Sequence, residues 1–121
     1  MTEGGAAEPC TVLLVEDHAQ LRSILAKALA ALGYQVLSAE NGDAAVALFQ
    51  QGVQPQLVFT DIRMPGTVDG LGLARWVRQR YPNCKVLLQT GYTHTDTGEF
   101  PVLRKPYTHG ELRRAIALAL G

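Results

Sequence analysis

Two hydrophobic rhythms alternate along the chain. Thr11 to Glu16 opens with a continuous apolar run, Val12-Leu13-Leu14-Val15, of the kind found in strands covered on both faces. Leu21, Ile24, Leu25, Ala28, Leu29 and Leu32 then recur at three- and four-residue steps, which predicts one helix stripe, and Gly33 stands where a helix C-cap prefers glycine. Gln35–Ala39 is a second strand. Asn41-Gly42 opens a short helix with Ala45, Leu48 and Phe49 on one face, ended by Gly52. Pro55 precedes a third strand, Gln56–Thr60. Asp69-Gly70 opens a third helix with Leu73, Ala74, Val77 and Tyr81 inward and Trp76 packed on it, stopped by Pro82. Lys85–Gln89 and Val102–Arg104 complete five strands. Thr108-His109-Gly110-Glu111 has capping-box spacing and starts a last helix running through Leu112, Ile116 and Leu120.

Strands alternating with helices predict an α/β domain, a doubly wound five-stranded parallel sheet between two helical layers. One connection breaks the rhythm. Eleven residues separate Thr90 from Val102, and a parallel crossover normally needs about a dozen or more. Thr93 to Glu99 carries no aliphatic residue, contains Gly98 and precedes Pro101, so the fourth helix is expected to be missing or reduced to about one turn.

Composition adds exclusions more than direction. A chain of 121 residues, 47% hydrophobic and 18% charged, suits one globular domain. Eleven basic residues balance eleven acidic ones, which removes the electrostatic argument for nucleic-acid or membrane partners. No apolar stretch approaches the ~18 residues a bilayer span requires. Residues 1–10 are expected to form a disordered lead-in, neither signal peptide nor anchor, ahead of a domain over 11–121 in a cytoplasmic protein. Cys10 and Cys84 lack metal-like spacing and are expected to be free thiols. His18, His94 and His109 share no spacing that would build a metal site.

The chemistry gathers at strand ends. Glu16 and Asp17 follow the first strand, Asp61 the third, Thr90 ends the fourth and Lys105 follows the fifth. A change of winding direction beside strand one brings the carboxyl ends of strands one and three together, and that edge is where open α/β sheets bind ligands. Three acids and one amine there suit a divalent cation and a phosphoryl group, with Asp61 as acceptor: a carboxylate can form an acyl-phosphate, given a metal to offset anionic repulsion. Each residue also has an ordinary reading. Asp17 begins a capping-box variant, Asp17-His18-Ala19-Gln20. Asp61 can open the turn before Met64-Pro65-Gly66. Lys105 can be a solvated lysine beside Arg104, and Thr90 a strand-end threonine. Cap and metal ligand are compatible roles for Asp17, since one carboxylate oxygen can serve each.

Taken together, Val-Leu-Leu-Val-Glu16-Asp17, Thr60-Asp61-Ile-Arg-Met-Pro65, Thr90-Gly91 and Lys105-Pro106 resemble the receiver domain of two-component response regulators, over Thr11 to Leu120. The resemblance implies a flavodoxin-like sheet of order 2-1-3-4-5. It implies that Asp61 takes a phosphoryl group from a histidine kinase or its phosphohistidine domain. It also implies Mg²⁺ (with Mn²⁺ as substitute) held by Glu16, Asp17, Asp61 and the backbone carbonyl of Arg63, and Thr90 and Lys105 as phosphate-sensing residues.

Four departures stand out. Glu16 is longer than the commoner Asp, so its metal contact is expected to run through water. Gly66-Thr67-Val68 adds one residue to the loop over the site. Val102 replaces the usual strand-five aromatic, and the crossover is short. Thr90-Gly91-Tyr92 with Arg104-Lys105-Pro106-Tyr107 resembles receivers that stand alone or end hybrid histidine kinases. Tyr92 is expected to cover the site in place of the missing aromatic, with Gly91, Val102 and Tyr107 in the switching region. The output surface would be the crossover and the last helix, through Arg113 and Arg114, for a downstream protein; the Ala/Leu-rich end of that helix suits a monomer or weak dimer. The rivals are a phosphate sink or relay within the family, an aspartyl-phosphate hydrolase (disfavoured because position 63 is Arg, leaving no second acid) and a nucleotide or flavin binder, which lacks a phosphate loop after strand one.

Overall fold

The computed structural model describes residues 10–91 and 97–121. Its elements follow the sequence in the order β1 (Thr11–Val15), α1 (Ala19–Ala31), β2 (Gln35–Ala39), α2 (Gly42–Gln50), β3 (Leu57–Asp61), α3 (Gly70–Arg80), β4 (Lys85–Thr90), β5 (Val102–Arg104) and α4 (His109–Leu120). The five strands form one parallel sheet in the order β2-β1-β3-β4-β5. The winding therefore reverses beside β1, and the ends of β1 and β3 meet as expected.

Side-chain alternation divides the core in two. Val12, Leu14, Leu57, Phe59 and Leu87 face α1 and α4, where Leu25, Leu29, Leu112 and Ile116 complete the layer. Leu13, Val15, Val58, Val86 and Leu88 face α2 and α3 and meet Phe49, Leu73, Val77 and Phe100. Near the base of that second layer, Phe49, Trp76 and Tyr81 pack ring to ring, with centroids 4.6 to 5.6 Å apart.

Helix ends obey local chemistry. Asn41 caps α2 by accepting the Ala44 N–H at 2.7 Å, and Asp69 caps α3 through the Gly72 N–H at 2.7 Å. Thr108 and Glu111 form the reciprocal capping box at α4. Gly33 takes a positive φ of 100° just past α1, which a residue with a Cβ resists. Two expectations need correction. Asp17 does not cap α1: the cap position is His18, which makes no side-chain cap bond. Ile24, assigned to the buried stripe, is 62% exposed; the inward face of α1 is centred on Leu25 and Leu29, which puts Ile24 at its outer margin.

Between β4 and β5, residues 97–101 form a turn, and no helix occurs there among the described residues. The crossover is tied to α3 instead. Arg78 pairs with Glu99, and its guanidinium lies 4.2 Å from the centre of the buried Phe100 ring.

One close backbone approach serves the site. A Cβ on Gly70 would stand 1.8 Å from the Asp61 carbonyl oxygen, so α3 can start against the end of β3 only through glycine. Gly70→Ala is expected to cost about 3 kcal/mol or more. In contrast Gly110→Ala, in the open first turn of α4, is expected to add about 0.5–1 kcal/mol. Urea denaturation of the two variants distinguishes these opposite signs.

Candidate functional site

Glu16 is the residue the fold treats most unusually. It follows β1 directly and is completely buried. Its Oε2 accepts the His18 N–H at 3.1 Å, so the acid before the helix, and not Asp17, meets an orphan donor at the start of α1. Its Oε1 has no hydrogen-bond partner; the nearest cation is Lys105 Nζ, 4.0 Å away. Burial pushes the Glu16 carboxyl above the ordinary carboxylate range, and the neighbouring Asp61 and Asp17 carboxyls push the same way. The His18 N–H and Lys105 oppose that rise. Arg22 adds a bond from its guanidinium to the Glu16 carbonyl at 2.8 Å, pinning the chain where it leaves the sheet.

Asp61 is the last residue of β3, opposite Gln89 of β4. Its Oδ1 accepts the Ile62 N–H at 3.1 Å and its Oδ2 accepts from Lys105 Nζ at 3.1 Å. The Asp61 side chain keeps 16% exposure and that of Lys105 29%, so the pair is reachable from solvent. Lys105 is placed by backbone: its N–H donates to the Thr90 carbonyl at 2.9 Å, and the Lys105–Pro106 peptide is cis. Thr90 is buried at the end of β4. Glu16, Asp17 and His18 bring potential ligand atoms within 4.8 Å of one another. Arg63 is exposed on the loop after β3.

The sequence therefore brings Glu16, Asp17, Asp61, Thr90 and Lys105 to one sheet edge. The donor set is mainly hard carboxylate oxygen, which suits Mg²⁺, and the orphaned, buried Oε1 of Glu16 is the kind of atom such an ion would satisfy. Gly91 follows Thr90 in the open. Val102 is half-buried against the α2/α3 side of the sheet. Tyr92 lies outside the described residues.

Three polar residues escaped the sequence reading. Gln89 reads as one more strand position, yet it is wholly buried, and its Oε1 accepts the Tyr107 hydroxyl at 2.7 Å. Its Nε2 has no partner. Burial drives the Tyr107 hydroxyl pKa upward, reinforced by the nearby Glu16 and Asp61 charges. Asp43 and Thr67 are the other missed pair, joined across 24 residues. A glutamine ending an apolar run was the available signal for the first; nothing local marks the second. Cys10 and Cys84 are free, half-buried thiols, and burial raises both, Cys84 to about 11.

The response regulator receiver domain family matches residues 12–117. The chain belongs to that family. As a receiver domain of two-component signalling it resembles the DNA-binding transcriptional regulator NtrC of Salmonella typhimurium, with 33% identity over 88% of this chain and 23% of that protein. It also resembles the response regulator protein PilR of Pseudomonas aeruginosa, with 34% identity over 89% of this chain and 25% of that one. The chain thus spans about a quarter of the length of these curated relatives. Among solved structures, a response regulator receiver protein from Sinorhizobium medicae superposes with a TM-score of 0.84, 28% identity and coverage of 93% of this chain and 95% of that chain. The response regulator TrrA from Thermotoga maritima, solved with Mg²⁺–BeF, gives a TM-score of 0.81 at 29% identity, covering 91% and 98%. Membership disfavours the hydrolase and nucleotide-binder readings. No helix among the described residues is long and apolar enough to cross a membrane.

Two outcomes follow from the buried polar groups. Glu16→Gln keeps an acceptor for His18 and removes the buried charge, so the metal-free protein is expected to gain about 1 kcal/mol at neutral pH, read by urea denaturation in EDTA. Because folding favours the protonated Glu16, its contribution is present in acid and is lost as pH rises through its elevated pKa; the variant should flatten that dependence. Tyr107→Phe strips Gln89 of its partner and is expected to cost about 1–2 kcal/mol, measured the same way.

Proposed function

We propose that Asp61 accepts a phosphoryl group from the phosphohistidine of a histidine kinase. An Asp61 carboxylate oxygen forms the new P–O bond as the P–N bond breaks and its electron pair returns to the imidazole. The observation that carries this reading is the Asp61 carboxylate itself: solvent-reachable, set at a strand end, bonded to Lys105, and beside a buried acid whose Oε1 makes no hydrogen bond. Glu16, Asp17, Asp61 and the Arg63 carbonyl would hold Mg²⁺ (or Mn²⁺), which when bound offsets the repulsion between Asp61 and the incoming anion. The relative solved with Mg²⁺–BeF supports the same assignment.

The direct environment of Asp61 also supports roles for its neighbours. Lys105 neutralises Asp61 at rest and remains within reach of an added phosphoryl oxygen. The Ile62 N–H orients the carboxylate. Thr90, whose carbonyl holds the Lys105 backbone, offers a hydroxyl to the same anion. Signal then passes to the crossover and α4, where Arg113 and Arg114 are exposed for a downstream protein. Tyr107 stands between them, immediately before the Thr108 cap.

Incubation with acetyl phosphate and Mg²⁺, followed by intact mass, tests the assignment. One phosphate adduct is expected on the wild type and none on Asp61→Asn or in EDTA. An adduct that survives Asp61→Asn, or none on the wild type with several donors, contradicts it.

A further inference from the structure

Thr67, in the loop after β3, has a partner on α2. Ile62 leaves β3, and its carbonyl accepts the Gly70 N–H at 2.8 Å, closing residues 63–69 into a loop over the sheet edge. Gly66 turns that loop with φ 104°. Thr67 is thereby presented to Asp43, in the first turn of α2: its hydroxyl donates to Asp43 Oδ1 at 2.6 Å and its N–H to Oδ2 at 3.2 Å. Both oxygens of one carboxylate thus grip both donors of one residue. The surfaces fit closely on either side. A Cβ on Gly66 would come within 2.9 Å of Asp43 Oδ2, and a Cβ on Gly42 within 2.3 Å of the Val68 carbonyl oxygen.

We propose that Asp43 is a positioning residue for the metal site, holding the β3–α3 loop through Thr67 in the shape that presents the Arg63 carbonyl. This rests on the metal reading given above. The physical reason is leverage. Met64 and Val68 pack half-buried against the core on that side of the sheet, but Arg63, Pro65, Gly66 and Thr67 are exposed. The grip on Thr67 is therefore the polar tie that sets the turn between those two apolar anchors. A backbone carbonyl can serve a metal that demands near-ideal octahedral geometry only where its loop is held. Asp43 sits on α2, which packs through Ala45 and Phe49 into the core shared with β3 and α3. The carboxylate therefore anchors the loop to a rigid element, as groups outside the ligand set do at other metal sites.

The test is Mg²⁺ affinity, measured by amide chemical-shift titration of the unphosphorylated protein, with thermal stability in EDTA recorded alongside. Asp43→Asn is expected to weaken Mg²⁺ binding about tenfold, and Thr67→Val, which loses only the hydroxyl bond, by less. Thr67→Ser, which retains both donors, should keep wild-type affinity. Because Thr67 is exposed, its two variants report even if Asp43→Asn folds poorly. Wild-type affinity in both Asp43→Asn and Thr67→Val would overturn the positioning role while leaving the metal site standing. A wild type that binds no Mg²⁺ would overturn the metal reading, and the positioning role with it.

Discussion

A buried carboxylate governs the architecture of this receiver. Burying Glu16 beside Asp17 and Asp61 costs free energy that no apolar packing returns. The fold meets part of that cost with the His18 N–H and part with Lys105, whose ammonium stands 3.1 Å from Asp61 and 4.0 Å from Glu16. One lysine between two acids cannot neutralise both, and Glu16 Oε1 is left over. The sheet order sets the ends of β1 and β3 side by side, and that adjacency is what makes the acids repel. Folding energetics are therefore tied to this one acid: whatever relieves Glu16 in the folded state alone favours that state.

The same edge extends polar chemistry to both faces of β4. Alternation sends Gln89 toward the α1/α4 layer, where Tyr107 meets it, and Thr90 to the opposite side. A buried glutamine with an orphan amide is costly. Here it fixes the segment after Lys105, and through it the start of α4. The lysine that pairs with Asp61 and the tyrosine that pairs with Gln89 lie two residues apart, so a displacement of the first bears directly on the second.

Much of this was legible as pattern. Continuous apolar runs marked β1, β3 and β4, and residues with a specific capping chemistry, Asn41, Asp69 and Thr108, marked helix starts. Asp61 and Lys105 were legible because strand ends converge in any doubly wound sheet. What escaped depends on three dimensions. Asp17 looks like a cap because Asp is a cap residue, but the chain turns one residue later and Glu16 reaches the amide instead. Ile24 fits a three- and four-residue repeat, yet falls outside the buried arc once α1 is oriented by Leu25 and Leu29. Asp43 and Thr67 are unremarkable polar residues until the Gly66 turn brings them together, and no local rule reports a contact across 24 positions.

Ring surface beside β5 comes from Phe100, not from the aliphatic Val102. Two residues earlier on the chain, Phe100 supplies buried ring surface to the α2/α3 layer. It is held there by Arg78, which also pairs with Glu99. An aromatic on β5 itself can rotate between pocket and solvent while the strand stays put. Phe100 precedes the strand and is clamped to α3, so moving it means moving the crossover and breaking contacts to another helix. The half-buried Val102 has too few rotamers and too little area to substitute. The polar connection between the sheet edge and α4 therefore runs through the segment from Lys105 to Thr108, where one ion pair and one buried hydrogen bond link Asp61 and Gln89 to the cap of α4.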